Sequence, residues 1–419
     1  MWHSYEKKTL KKHYHVVVIG AGPSGIAAAV AASRNRCRTL LLEKNSFPGG
    51  LAAMGKISTI CGLYHNSTKP LPEFLYDGFP LEFAARVMSL DSLAGPVRSG
   101  RVFVLHSRPG MIETTAREFL ESQKNLDVHY RAEISGLTMD GKQIRQIQFS
   151  DSDMEYVVQA DAVIDSTGDA VMGEMAGASL LFPDETEQAP ALLFSITSFG
   201  DAFSNRSEII RIRMKIKHAV DSGDLNQGTD DVSFSPDIGG GSATVKLNLG
   251  ALICPDHDGS EAGLEEKAQA MKQHLIDFLQ ENVEGLEHVQ SCGQSGTVLH
   301  RAGKRAEGLY LLTREDVLTG KQFPDAVARG NWPIEKYSCS GKPRFSYLPD
   351  ETTYDIPGRC LCVSGIDNLF TAGKCISADD DAIASARVIG CCLSTGEAAG
   401  NLASQFVSKN RSIMSINNG

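Results

Sequence analysis

Several things missing from this 419-residue sequence set its first limits. No run of eighteen consecutive apolar residues occurs, so no bilayer-spanning helix is expected. The opening MWHSYEKKTLKKHYH is basic but has no apolar h-region, and it reads as a flexible tail instead of a secretory signal. The ten cysteines include no C-x-x-C pair, which argues against a redox-active dithiol loop and an iron–sulfur cluster. Basic residues are in the minority, 41 against 51 acidic, and the net charge of −10 disfavours a nucleic-acid partner. There is no internal repeat and no low-complexity tract, and no residue is assigned to a metal. What remains is an ordinary soluble composition, 42% hydrophobic and 22% charged, on a chain long enough for two or three domains. A cytoplasmic enzyme with reduced, mostly buried cysteines fits these limits.

The informative segment begins at His15. His15-Val-Val-Val-Ile19 is a β-branched run suited to a strand covered on both faces. Gly20-Ala-Gly22-Pro23-Ser24-Gly25 follows at once, then the small-residue helix Ile26–Ser33, then the apolar strand Thr39–Leu42 ending in Glu43. In such a unit Gly20 permits the tight turn, Gly22 lets backbone approach a pyrophosphate, and Gly25 lets helix and strand lie close. The helix N-terminus offers unpaired N–H groups and a positive dipole end to the phosphates. Glu43, 23 residues past Gly20, is placed to accept hydrogen bonds from ribose hydroxyls. A G-x-G-x-x-G alone is weak; strand, turn, helix, second strand and terminal acid in order are not.

That unit binds a dinucleotide without saying which. After Glu43 come Lys44-Asn-Ser-Phe-Pro-Gly49-Gly50, paired glycines that suit a chain passing close to an extended cofactor. Far downstream, Ala160–Asp165 reads as a buried strand ending in the turn Ser-Thr167-Gly168-Asp169. Near the C-terminus, Asn368-Leu-Phe-Thr-Ala-Gly373 is another strand ending in glycine. It runs through Lys374-Cys-Ile-Ser377 toward a helical stretch from Arg387 to Gly400.

The order of these blocks resembles the FAD-dependent oxidoreductases with a glutathione-reductase-type flavin domain. Within that group it is most similar to a bacterial branch marked by its C-terminal third. The matching blocks are Tyr354-Asp-Ile-Pro357, Leu361-Cys-Val, Asp367 to Ser377 with Arg387-Val, and upstream Leu311 to Val317 and Phe323 to Gly330. The chain departs from the branch at Lys374, where arginine is usual, and at Ile334-Glu335-Lys336, where Asp-Ile-His is usual. The resemblance implies FAD, with the C-terminal strand and helix passing the flavin ring.

The implied fold is α/β: a discontinuous Rossmann-type FAD-binding domain at 13–60, 100–185 and 340–408. A mixed α+β substrate or cap domain at 61–99 and 186–339 is inserted, and 1–12 and 409–419 are flexible tails. Residues 126–149 alternate as a small β-ribbon, Ser242–Leu249 as a strand buried on one face, and Glu265–Glu281 as a helix with Ala268, Met271, Leu275 and Phe278 on one side. Gly239 to Gly241 precedes a strand and is a loop, not a second phosphate site. No second strand–G-x-G-x-x-G–helix unit for NAD(P)H is visible. The flavin is therefore expected to be reduced by substrate, by a separate reductase or by docked NAD(P)H. The expected substrate is a small organic or peptidyl molecule. Alternatives are a monooxygenase acting on an aromatic or peptidyl substrate and a non-catalytic flavoprotein serving as a binding or maturation factor.

Candidate catalytic groups are few. Cys61, as a thiolate, and His65, as a proton donor, follow the Gly49-Gly50 turn, though a packing cysteine and a loop histidine are equally ordinary. Lys374 beside Gly373 would put positive charge at the flavin, or else is a surface lysine. Arg301, Lys304 and Arg305 form a basic cluster; at helical spacing Arg301 and Arg305 share a face, able to clamp a carboxylate or simply solvated. Arg387 is expected near the flavin, capping carbonyls.

Overall fold

A computed structural model describes residues 12–184, 188–199, 203, 205–237, 240–253, 263–339 and 343–409. Its central strand, His13–Ile19, explains its own composition. Val16 and Val18 enter one core with Ile26 and Ala28 of the helix Pro23–Arg34. Val17 and Ile19 enter a second core with Leu40, Leu42 and Phe149. Successive side chains point to opposite faces, so the half covered on both sides, Val16–Ile19, is apolar throughout, while His13 and His15 fall in the less buried half.

Thr39–Glu43 pairs with this strand on one side and Glu155–Asp165 on the other, both parallel, Val16 lying opposite Thr39 and Ala162. Leu126–Tyr130 extends the sheet beyond Thr39–Glu43, and Leu369–Thr371 lies against Val163–Asp165, again parallel. Residues 126–130, expected in the ribbon, thus form an outer strand of the parallel sheet. The ribbon is Glu133–Asp140 with Gln143–Ser150, joined by the first half of Glu155–Asp165. A short alternating segment has the same signature in either place, which is why the two were grouped. Glu155–Asp165 serves both structures: its first half runs antiparallel to Gln146–Ser150, its second half parallel to the central strand.

The Rossmann helix Pro23–Arg34 packs closely on the C-terminal helix Ile389–Ser408. A Cβ added at Gly396 would lie 2.1 Å from the Ser24 carbonyl oxygen, and one at Gly400 2.5 Å from that of Ala28. Only hydrogen at these positions lets the backbones approach so closely. The helix Phe79–Leu90 joins the same core through Phe79, Phe83 and Val87, and the Phe79 N–H donates to the Glu397 carboxylate at 3.1 Å. Residues 61–99, expected in the cap, therefore pack with the flavin-side core; their apolar face is filled by the Rossmann layer.

The cap proper is an antiparallel sheet in the order Val232–Pro236, Ser242–Asn248, Ala191–Thr197, Gln290–Leu299. Two amphipathic helices, Arg206–Ser222 and Leu264–Asn282, cover one face with Ile212, Ile216, Ala268, Met271 and Leu275. The other face turns toward the flavin domain: a Cβ on Gly55 would meet Leu299 at 2.8 Å and Leu193 at 3.2 Å. Among the described residues no helix is long and apolar enough to cross a membrane.

Candidate functional site

The turn after the central strand has the geometry its glycines suggest. Gly20 has φ +95°, and a Cβ on Gly25 would stand 1.8 Å from the Gly20 carbonyl oxygen, so the helix starts hard against the turn. Around Gly22 the opposite holds, since nothing lies within 4 Å of a Cβ built there. Pro23 opens the helix, and Ser24 and Gly25 lie in its first turn, where N–H groups have no intrahelical acceptor. Gly49 donates its N–H to the Ala21 carbonyl at 2.7 Å, and a Cβ on Gly50 would fall 2.9 Å from Gly22 Cα, so the second turn folds over the first. Open space above Gly22 beside a helix N-terminus suits a pyrophosphate.

Glu43 is buried at the end of its strand. Its Oε2 accepts the Ala21 N–H at 2.6 Å, while Oε1 accepts Asn45 N at 2.8 Å and Nδ2 at 2.7 Å. The carboxylate thus ties the dinucleotide turn to the following loop, and its remaining lone pairs are what it has for a ribose. Lys44, next in the chain, is exposed.

On the far side of the central strand, buried Asp165 accepts the Thr167 N–H and hydroxyl at 3.0 and 2.7 Å and the Met172 N–H at 2.7 Å. This locks the Thr167-Gly168-Asp169 turn. Burial pushes the Asp165 carboxyl up, against the pull of these hydrogen bonds. The Cys375 sulfur receives the Gly168 N–H at 3.1 Å, linking this turn to Gly373-Lys374-Cys375. Gly373 lies against the helix start, where a Cβ would be 2.5 Å from Ser24 Oγ. Lys374 extends past Gly168, and its Nζ donates to the His300 carbonyl at 3.1 Å. Burial pulls its ammonium below the ordinary lysine value. Asp169 Oδ1 accepts the Lys304 N–H at 2.9 Å, tying this turn to the loop that follows the cap strand Gln290–Leu299.

Between the flavin-side turns and the open face of the cap sheet lies a group of charged side chains. Lys246 is directly across from Leu193 on that face. Its ammonium stands 5.1 Å from the Tyr337 ring, and the Arg301 guanidinium stacks on the same ring at 3.7 Å. Arg301 donates to Asn248 Oδ1 at 2.7 Å and to the Ala189 carbonyl. Burial holds Arg301 down to about 10, still charged at neutral pH, and burial with Arg301 as neighbour lowers Lys246. Glu335 accepts from Trp332 Nε1 at 3.0 Å and from the Tyr337 hydroxyl. Arg387 completes the group, its Nη2 donating to Gln188 Oε1 at 3.2 Å and to the Glu335 carbonyl at 3.3 Å. Cys61 lies within electrostatic reach of Glu335, Lys246 and Arg387.

Several sequence expectations change here. Burial, with Glu335, pushes the Cys61 thiol up to about 12, so it is a neutral thiol and not a thiolate. His65 is not brought to Cys61: it lines a separate shallow cleft with Ser67, Lys69, Glu73 and Glu351. The intervening Tyr64 is anchored in the core by Phe74 and Phe103, which turns the chain away. The basic triplet disperses because residues 301–306 form a loop and a short strand, not a helix. Lys304 pairs with Glu174 at 2.8 Å and Arg305 with Asp380 at 2.7 Å, leaving Arg301 alone at the cap sheet. Arg387 caps one carbonyl, as expected, but faces the cluster. Lys246 and Tyr337 were not anticipated. The signal for Lys246 was the polar set Thr244, Lys246, Asn248 alternating with buried Ala243, Val245 and Leu247, which reads as a solvent face unless a second domain covers it.

The FAD dependent oxidoreductase family matches residues 15–418. A thioredoxin reductase of Ureaplasma parvum is 41% identical over 64 residues, 15% of this chain and 19% of the reductase. Sarcosine oxidase subunit alpha of Rhizobium meliloti is 42% identical over 59 residues, 14% of this chain and 6% of that subunit. The matches thus span less than a fifth of either relative. Among solved structures, a geranylgeranyl bacteriochlorophyll reductase-like protein from Thermoplasma acidophilum is 13% identical with a TM-score of 0.46. The alignment covers 97% of this chain and 82% of that one.

Proposed function

The chain belongs to the FAD-dependent oxidoreductases, and we propose that its reaction takes place between the Gly49–Gly55 segment and the open face of the cap sheet, on a small organic or peptidyl substrate. The observation that carries this reading is the layer of Lys246, Arg301, Tyr337 and Glu335, presented by the cap toward Cys61 and Arg387. FAD, when bound, supplies the two-electron chemistry. The side chains supply position and charge. The Gly20–Gly25 turn would hold the pyrophosphate on Ser24 and Gly25 N–H groups, and Glu43 would take the ribose. Thr167 and Gly168 line the other side with Gly373, and Lys374 would place positive charge beside the ring. Cys61, held neutral, acts as a proton donor or as packing.

No second dinucleotide turn is seen in the sequence, so electrons enter from substrate, a separate reductase or transiently docked NAD(P)H. A cytoplasmic location agrees with the described cysteines, all of which are free. The test is anaerobic reduction of purified protein by dithionite followed by admission of air. Bleaching and return of the yellow colour are expected. Flavin that neither bleaches nor reoxidises in air on a catalytic timescale would leave a binding or maturation factor as the better reading.

A further inference from the structure

We infer that Lys246, Arg301 and Arg387 form the anion-recognition end of the substrate site and that the substrate carries a carboxylate; this rests on the placement of the reaction under the cap sheet. The three cations come from three separate segments and converge at the Tyr337–Glu335 pair. Among the described residues, none of them lies within ion-pairing distance of a carboxylate, unlike Arg305 with Asp380. Glu335 is engaged by Trp332 and Tyr337. Asp231, the other acid within reach, is bound to Asn248, and burial raises its carboxyl above the ordinary value while Asn248, Lys246 and Arg301 pull it back down. Three half-buried cations thus face two carboxylates, Glu335 and Asp231, neither of which lies within ion-pairing distance of them, and the balance favours an added anion.

The donors left over favour a planar anion. Arg301 spends its two terminal nitrogens on Ala189 and Asn248, and the Tyr337 ring fixes its plane. Its role is to add charge and orient Asn248. Lys246 has no hydrogen-bond acceptor among the described residues, and Arg387 Nε is buried without a partner. The Lys246 ammonium and the Arg387 Nε–H are one donor for each of the two oxygens of a carboxylate. Among the described residues the lining contains no glycine-rich backbone nest of the kind that cradles phosphate.

The experiment titrates the FAD-loaded protein with benzoate and succinate, with their neutral amides, and with inorganic phosphate, following the visible flavin spectrum. The carboxylates should perturb it and bind at least about tenfold more tightly than the amides. Lys246→Met should erase that preference while FAD content stays unchanged, and Lys246→Arg should keep it. Equal binding of acids and amides, no perturbation by any acid, a response to phosphate alone, or an unchanged preference in Lys246→Met overturns the inference. A Lys246→Met protein that loses FAD is replaced by Arg387→Gln, judged by the same preference. If the protein bleaches and reoxidises normally but ignores carboxylates, this inference fails and the oxidoreductase reading stands. If it does not bleach, the oxidoreductase reading itself fails.

Discussion

Replacing Glu43 with Gln keeps the side chain's shape and removes one acceptor and the charge. In the native protein three N–H donors converge on the carboxylate: Ala21 N at 2.6 Å, Asn45 N at 2.8 Å and Asn45 Nδ2 at 2.7 Å. Whichever way the amide turns, its NH2 faces an N–H donor. Facing Ala21, it leaves that buried N–H unpaired; facing Asn45, it repels two donors. A hydrogen bond to a charged group contributes about 1.5–3 kcal/mol, and a buried donor left unpaired costs about 1–3 kcal/mol. The apoprotein should therefore lose roughly 1.5–3 kcal/mol before any cofactor is considered. The weakened acceptors toward the ribose add a second loss, so FAD affinity should fall at least tenfold, at about 1.4 kcal/mol per tenfold. Two assays separate the parts: urea unfolding of the apoprotein, and quenching of free FAD fluorescence on titration. A stability loss with unchanged affinity would mean that Glu43 only braces the turn and another group holds the ribose. No change in either would refute the geometry at this position.

Other outcomes follow from the same site. Purified protein should carry FAD that acid precipitation releases, and Gly22→Val should abolish its retention by filling the space above the turn; a yellow Gly22→Val protein refutes that placement. Lys374→Met should lower the flavin midpoint potential, by about 30 mV if the ammonium contributes about 1.4 kcal/mol to the two-electron couple. Spectroelectrochemical titration showing no shift would make Lys374 merely a brace on His300. Cys61→Ala should leave the potential unchanged. Since the wild-type thiol stays neutral up to about 12, turnover should show no thiolate inflection at neutral or mildly alkaline pH. An inflection that Cys61→Ala removes would contradict this.

The cofactor half of the site was legible in the sequence because each position of a dinucleotide turn tolerates few residue types. Gly25 faces a carbonyl, Gly22 faces open space, and the flanking strands carry the buried apolar runs Val16–Ile19 and Leu40–Leu42. The substrate half was not, for a geometric reason. Lys246 sits on an alternating strand whose polar face ordinarily meets water, and only the packing of Leu193 and Leu299 over Gly55 turns that face inward. The same limit misgrouped Leu126–Tyr130 and placed residues 61–99 in the cap, since the local pattern says that a face is buried but not against what. Arg301 was noticed for the wrong neighbours: a helical spacing was assumed where the backbone is a loop running into the short strand Arg305–Ala306.

The helices Pro23–Arg34 and Ile389–Ser408, far apart in sequence, meet in the middle of the fold, and this dictates an order of events on the ribosome. The Rossmann helix is synthesised first, yet the surface it needs belongs to Gly396 and Gly400, and the last parallel strand is Leu369–Thr371. While the cap is being made, Ala28 and its neighbours have no C-terminal helix to cover them, a sticky stretch that a chaperone would recognise. The cap sheet has its own core and can close earlier. Stalled chains ending before residue 369 should therefore yield a protease-resistant cap and a degraded N-terminal segment, with FAD protecting only chains that include the last helix. Resistance of the N-terminal segment in the shorter chains would show that the two halves do not wait for each other.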